Sequence, residues 1–140
     1  MNAVKKILII EDDPSISSIL GEAIGEMGYE IDFAYNGKEG IDNLISNALP
    51  LPDLILLDLF LPVMNGAEFR KRQLQIPWLA KIPVVAMSAD CCVKQRCGPL
   101  HLKHYLKKPF QLDELIQLIE DLTKHSVAAD AAAVPYDQRI

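Results

Sequence analysis

The fourteen residues from Asp53 to Gly66, DLILLDLFLPVMNG, constrain this chain more than any other stretch. Leu54 to Leu57 are all apolar, and one carboxylate, Asp58, follows them. Leu59, Phe60 and Leu61 resume the apolar run before a turn built from Pro62, Asn65 and Gly66. A short apolar run bounded by turn residues reads as a strand buried on both faces. A carboxylate is rarely buried unless it is paired, hydrogen-bonded or bound to a cation. In open α/β sheets, ligands bind at the C-terminal ends of strands. Asp58 is therefore the residue that needs a chemical reason.

Three more short strand-like runs, the first two of them apolar, end in polar residues in the same way. Lys6–Ile10 (KILII) ends in Glu11, Asp12, Asp13 and Pro14. Pro83–Met87 ends in Ser88, and His104–Lys107 ends in Lys108-Pro109-Phe110. Glu30–Tyr35 alternates polar and apolar residues, as a less buried strand does. Between these runs lie helical spacings. Asp13 caps a helix begun by Pro14, carrying Ile16, Ile19, Leu20, Ala23, Ile24 and Met27, and stopped by Gly28. Lys38–Asn47, Ala67–Ile76 and Leu112–Leu122 repeat the pattern. Pro77–Pro83 reads as a loop. Ala89–Lys103 is the least regular segment, because Gly98-Pro99 interrupts any helix there.

Five strands alternating with about five helices, the fourth short or distorted, predict a parallel sheet covered on both faces. Right-handed crossovers put every strand's C-terminal end on one edge. That edge collects Glu11, Asp12, Asp58, Ser88 and Lys108. Clustered carboxylates repel one another and call for a cation. Oxygen donors with room for water suit Mg²⁺, with Mn²⁺ as a substitute. A lysine and a hydroxyl facing a metal-bound carboxylate make a receiver for phosphoryl oxygens. Asp58 is then the nucleophile and forms an aspartyl phosphate. Singly, Asp12 or Asp13 reads as a helix cap, Ser88 as a strand-end hydroxyl and Lys108 as a solvated charge. Their convergence on one edge carries the signal.

At these residues the chain resembles the response-regulator receiver domain of two-component signalling. The resemblance covers residues 4–124 and rests on ILIIEDDP, DLILLDLFLPVMNG, VVAMSA and YLKKPF, in the family's order. It implies a flavodoxin-like doubly wound sheet of order 2-1-3-4-5, and phosphorylation of Asp58 by a histidine kinase or phosphotransfer protein. It implies Asp12, Asp58 and the backbone carbonyl of Phe60 as Mg²⁺ ligands, with Glu11 acting through water. Ser88 matches the switch hydroxyl and Lys108 the phosphoryl-binding lysine, ahead of Pro109 and a cis peptide bond. Tyr105 matches the aromatic residue that turns inward when the hydroxyl moves. Pro62 and Gly66 match the turn. The output face is the fourth helix, fifth strand and fifth helix.

Departures from the family pattern lie in Asp90–His104, which is slightly short and carries Gly98, Pro99 and two histidines in place of the usual turn. Phe60, two residues after Asp58, cannot orient an attacking water, and Ala89 leaves the site open. A relatively long-lived phosphate is expected.

Composition narrows the class. The net charge of −5 argues against a general nucleic-acid binder. From Phe69 to Leu112 there are nine basic residues and one acid, Asp90, which reads as a solvated face or a dock for an acidic partner. Lys5 and Lys6 precede only four aliphatic residues, so neither a signal peptide nor a membrane span is expected. Cys91, Cys92 and Cys97 are odd in number and suit a reducing cytoplasm, as free thiols in or near the core. The expected layout is a receiver over residues 1–125 and a flexible tail over 126–140. The leading expectation is a stand-alone switch, monomeric or dimerising on phosphorylation, acting by protein contact without turnover of a separate substrate. Alternatives are a fragment of a longer regulator, a small aspartyl-phosphate phosphotransferase or phosphatase, and a flavodoxin-like cofactor binder. The phosphatase reading usually needs a second Asp where Phe60 stands.

Overall fold

The three most apolar runs become the three central strands of one parallel sheet. In the computed structural model, which describes residues 4–46 and 50–124, the strands are β1 (Lys6–Ile10), β2 (Glu30–Ala34), β3 (Leu54–Asp58), β4 (Val84–Ser88) and β5 (His104–Lys107). Their order is β2-β1-β3-β4-β5, all pairs parallel. This is the flavodoxin-like order the resemblance implies. β3 and β4 are buried at all five positions.

Successive strand residues point to opposite faces, so each central strand feeds two cores. Ile7, Ile9, Leu54, Leu56, Val85 and Met87 meet Leu20, Ile24, Leu115 and Ile119. Those partners belong to α1 (Pro14–Glu26) and α6 (Leu112–Thr123). Leu8, Ile10, Ile55, Leu57 and Ala86 meet Ile41, Leu44, Phe69, Leu79 and Val93. This second face is covered by α2 (Gly37–Ser46), α3 (Gly66–Gln75), α4 (Pro77–Ala80) and α5 (Val93–Cys97).

Local signals set the helix ends. Asp13 Oδ1 accepts the Ser15 and Ile16 N–H groups, with Pro14 at the first helical position. Gly28, at φ 97°, takes the backbone out of the helical region after α1. Asn65 and Glu68 form a capping box at the start of α3.

Three expectations need correction. The Pro77–Pro83 loop contains α4, a single turn begun by Pro77 with Trp78 and Leu79 buried. Four residues are too few to display helical periodicity. The expected core-packed thiols hold for Cys97 only, while Cys91 and Cys92 are exposed. Arg70 does not belong to the solvated basic face, because it is buried.

The irregular segment is α5 followed by a 3₁₀ turn over Gly98–Leu100 and a left-handed His101 at φ 55°. Arg70 holds it. Its Nε donates to the Leu100 carbonyl at 3.0 Å, and Nη2 donates to the His101 carbonyl at 3.0 Å. Nη1 donates to Gln73 Oε1 at 2.8 Å, and Gln73 Nε2 donates to the carbonyls of Leu79 and Ile82. One α3 face thus satisfies carbonyls that a longer helix would have bonded internally. The tail assigned to residues 126–140 lies outside the described residues.

Candidate functional site

At the C-terminal edge the parallel strands deliver their last polar residues together. Glu11 follows β1, and its N–H donates to the Ala34 carbonyl at the end of β2. Ser17 Oγ donates to the Glu11 carbonyl at 3.2 Å, tying that residue to the first turns of α1. Glu11, Asp12 and Asp58 each offer a carboxylate oxygen within 4.8 Å of the others. Glu11 and Asp58 are buried, while Asp12 is exposed.

Lys108 enters from the end of β5. Its Nζ donates to Glu11 Oε1 at 2.7 Å and to Asp58 Oδ2 at 3.1 Å. The other Asp58 oxygen, Oδ1, accepts the Phe60 N–H at 2.8 Å. The Lys108 N–H donates to the Ser88 carbonyl at 2.8 Å, and the Lys108-Pro109 peptide bond is cis. Ser88 is fully buried, and its Oγ accepts the Asp90 N–H at 3.0 Å.

Two ionisations respond to this crowding. Asp12 is raised above the usual carboxylate value, first by desolvation and then by the neighbouring Glu11 carboxyl. For Lys108 the largest single influence is burial, which disfavours the ammonium. The hydrogen bonds and charges of Glu11 and Asp58 together outweigh it, so the group is raised overall. The ammonium is therefore permanently charged in the neutral range.

The turn after β3 closes the site. The Gly66 N–H donates to the Leu59 carbonyl at 3.2 Å. A side chain at Gly66 would put Cβ 2.6 Å from both the Asp58 carbonyl oxygen and Leu59 Cα. Glycine is the residue that lets α3 start this close to the strand end. Pro62 accepts the Met64 N–H at 2.7 Å through its carbonyl, across Val63 at φ 67°.

The structure thus brings Glu11, Asp12, Asp58 and Lys108 into one cluster. Ser88 stands at the adjoining strand end, engaged with its own loop. Tyr105 sits farther along β5, half-buried, in a groove of about 540 Å³ shared with α6. That groove carries both signs of charge, with Lys103, Glu114 and Asp121 among its lining. The basic stretch counted over Phe69–Leu112 therefore meets acidic residues of α6 here.

Sequence reasoning missed Arg96. Its guanidinium lies 5.6 Å from the centre of the Phe60 ring and pairs with Asp90. This pairing, with the Cys92 N–H as the larger influence, holds Asp90 below the usual carboxylate range. No sequence periodicity points to it, because α5 is too short to define a face.

A doubly wound sheet with an acid-and-lysine cluster at its topological switch point has the cluster where domains of this class bind their ligands. Comparison with known proteins narrows that class. Residues 7–120 match the family model described as the response regulator receiver domain. The transcriptional regulatory protein CrdR of Helicobacter pylori is 38% identical over 113 residues, covering 79% of this chain and 51% of that protein. A putative response regulator from Chloroflexus aurantiacus superposes with a TM-score of 0.78 at 27% identity, covering 86% and 98% of the two chains. The phosphorylated cyanobacterial phytochrome response regulator RcpA superposes at 0.73 with 28% identity, covering 91% and 96%. The chain belongs to the receiver-domain family of two-component response regulators. It spans about half the length of the curated relatives it matches. Among the described residues no helix is long and apolar enough to cross a membrane.

Proposed function

We propose that Asp58 accepts a phosphoryl group from a phosphohistidine on a histidine kinase or phosphotransfer protein. A carboxylate oxygen of Asp58 attacks phosphorus and forms the O–P bond. The P–N bond to the donor imidazole breaks, and its electron pair returns to the ring nitrogen, which takes a proton from water. The observation that carries this reading is the Lys108 ammonium, hydrogen-bonded to Asp58 and Glu11 at the strand ends. It holds charge that develops on the transferring oxygens without any reorganisation at the moment of transfer.

The donor set fits a hard divalent cation. Three carboxylates within 4.8 Å are all-oxygen, and desolvation followed by the Glu11 carboxyl raises Asp12 above its usual value. Asp12, Asp58 and the Phe60 carbonyl would hold Mg²⁺, with Glu11 through water. When bound, it neutralises phosphoryl oxygens beside Asp58.

Ser88 accepts a hydrogen bond from Asp90, so its own hydroxyl proton is free to donate. Rotating the hydroxyl oxygen toward a phosphoryl oxygen gives up the 3.0 Å bond accepted from Asp90 and, on the family's pattern, frees the space that Tyr105 takes. Tyr105 then moves inward, and the α5–β5–α6 face carries the signal to a protein partner. The chain turns over no separate substrate on this reading, and the location is cytoplasmic, with the kinase.

An apolar groove of about 460 Å³ beside Lys108 supports docking of a helical donor. Ile16, Ile19, Pro109, Phe110 and Leu112 line it, and Ile19 is 63% exposed. The test is incubation with Mg²⁺ and acetyl phosphate, followed by intact mass. The parent gains one phosphoryl group and Asp58→Asn gains none. Equal labelling of both proteins sinks the assignment.

A further inference from the structure

The loop leaving β4 carries a second group of metal-ligating side chains, which the phosphoryl site does not use. Cys91 and Cys92 are exposed, and their sulfurs lie 3.5 Å apart. The Asp90 carboxylate joins them, with one donor atom from each residue within 4.8 Å of the others. Cys97 is buried and separate. The turn at these residues is what brings consecutive side chains to the same side of the chain.

The sulfur separation discriminates between two chemistries. Two thiolates on one tetrahedral ion, with bonds of about 2.3 Å, lie about 3.8 Å apart. The pair is already within a few tenths of an ångström of that spacing. A disulfide needs about 2 Å between sulfurs and Cα atoms at least about 4.4 Å apart. Neighbouring Cα atoms across a trans peptide stand only about 3.8 Å apart, and this peptide is not cis. The geometry favours a shared ion over a bond between the two sulfurs.

Asp90 is held ready for the same role. One carboxylate oxygen accepts the Cys92 N–H at 2.7 Å and the other pairs with Arg96. Each oxygen keeps a further lone pair. Two thiolates and a carboxylate exceed the charge of a divalent ion, and the Arg96 guanidinium balances the excess. Sulfur donors select Zn²⁺-class ions over Mg²⁺, so the two sites divide cations by softness.

We propose that Asp90, Cys91 and Cys92 form a binding site for a thiophilic divalent cation of the Zn²⁺ and Cd²⁺ class. Occupation fixes the Asp90 side chain. The Asp90 N–H is the donor that holds Ser88 Oγ, so a bound ion stabilises the resting orientation of that hydroxyl. By linkage, the phosphorylated form binds the ion more weakly. This coupling rests on the phosphoacceptor reading of Asp58; the binding itself does not.

The test is titration of the protein with Cd²⁺ in a phosphine reductant, following the ultraviolet cadmium–thiolate band. The band saturates at one ion per chain, persists in excess Mg²⁺ and is unchanged in Asp58→Asn. It is lost in the Cys91→Ser/Cys92→Ser double variant, whose exposed substitutions leave the circular dichroism spectrum intact. Asp90→Asn binds several-fold more weakly. A missing band, one retained by the double variant, or one ion shared between two chains overturns the site. An Asp90→Asn affinity equal to the parent's overturns the three-donor assignment. Beryllofluoride with Mg²⁺ weakens Cd²⁺ binding several-fold, and an unchanged affinity in protein shown to bind beryllofluoride overturns the coupling alone.

Discussion

The Asp90 N–H donates to Ser88 Oγ at 3.0 Å, so the hydroxyl at the end of β4 is anchored by the loop that follows it. Ser88→Ala leaves that partly buried donor without its partner, at a cost of about 1 kcal/mol in urea unfolding. The variant still binds beryllofluoride, because Asp58 and Lys108 are intact. It loses the accompanying change at the Tyr105 ring, followed by NMR. A full Tyr105 response without the hydroxyl would remove Ser88 from the switch.

Lys108 is the cation that two buried carboxylates share. Lys108→Ala leaves Glu11 and Asp58 facing each other without it. The expected loss is about 2 kcal/mol, below the ~3–5 kcal/mol of a fully buried pair because the ammonium is partly exposed. Added Mg²⁺ recovers part of it. Phosphoryl uptake from acetyl phosphate falls by roughly 100-fold, read by intact mass against time.

Asp12 gives a pH-dependent prediction. Its carboxyl is raised in the folded chain, so the folded state favours the protonated form. That favourable contribution is complete below the ordinary value of 3.8 and is lost as pH rises through the folded value. In cation-free buffer at neutral pH, Asp12→Asn therefore melts above the parent. The difference shrinks as pH falls, and Mg²⁺ reverses it by stabilising only the parent. Thermal melts at two pH values, with and without Mg²⁺, check all three signs.

Gly66→Ala meets backbone on two sides, at 2.6 Å in each case, and neither atom is the end of a flexible side chain. A cost of about 2–3 kcal/mol is expected in chemical denaturation. Because the clash bears on the Asp58 carbonyl itself, beryllofluoride affinity falls as well. A stability loss with unchanged affinity would separate the turn from the site.

Phe60 is 58% exposed beneath the Arg96 guanidinium. It offers no donor or acceptor to an incoming water. Phe60→Asn shortens the lifetime of the acyl phosphate several-fold, measured by loss of label after the donor is removed. Loss from the parent within seconds would contradict the long lifetime expected for it.

The apolar runs made β1, β3 and β4 legible, because strands buried on both faces leave no alternative placement for four consecutive aliphatic residues. Glu11, Asp58 and Lys108 were legible as a cluster for the same reason, since strand ends in a parallel sheet must converge. Arg70 and Gln73 were not. Their partners are carbonyls outside α3, at Leu79 and Ile82 for Gln73 and, some 30 residues on, at Leu100 and His101 for Arg70, which no helical or strand periodicity announces. The exposure of Cys91 and Cys92 was equally hidden, because a thiol's apolar character says nothing about a turn beside a polar loop.

Arg70 and Gln73 also bear on how this domain could be cut and rejoined. The shortened α5 region is not a self-sufficient module; its Leu100 and His101 carbonyls are completed by Arg70 of α3, whose guanidinium Gln73 holds in place. Transplanting residues 93–103 into another receiver without that pair would export unsatisfied backbone rather than a specificity element. Any chimera that exchanges the segment has to carry the α3 residues with it.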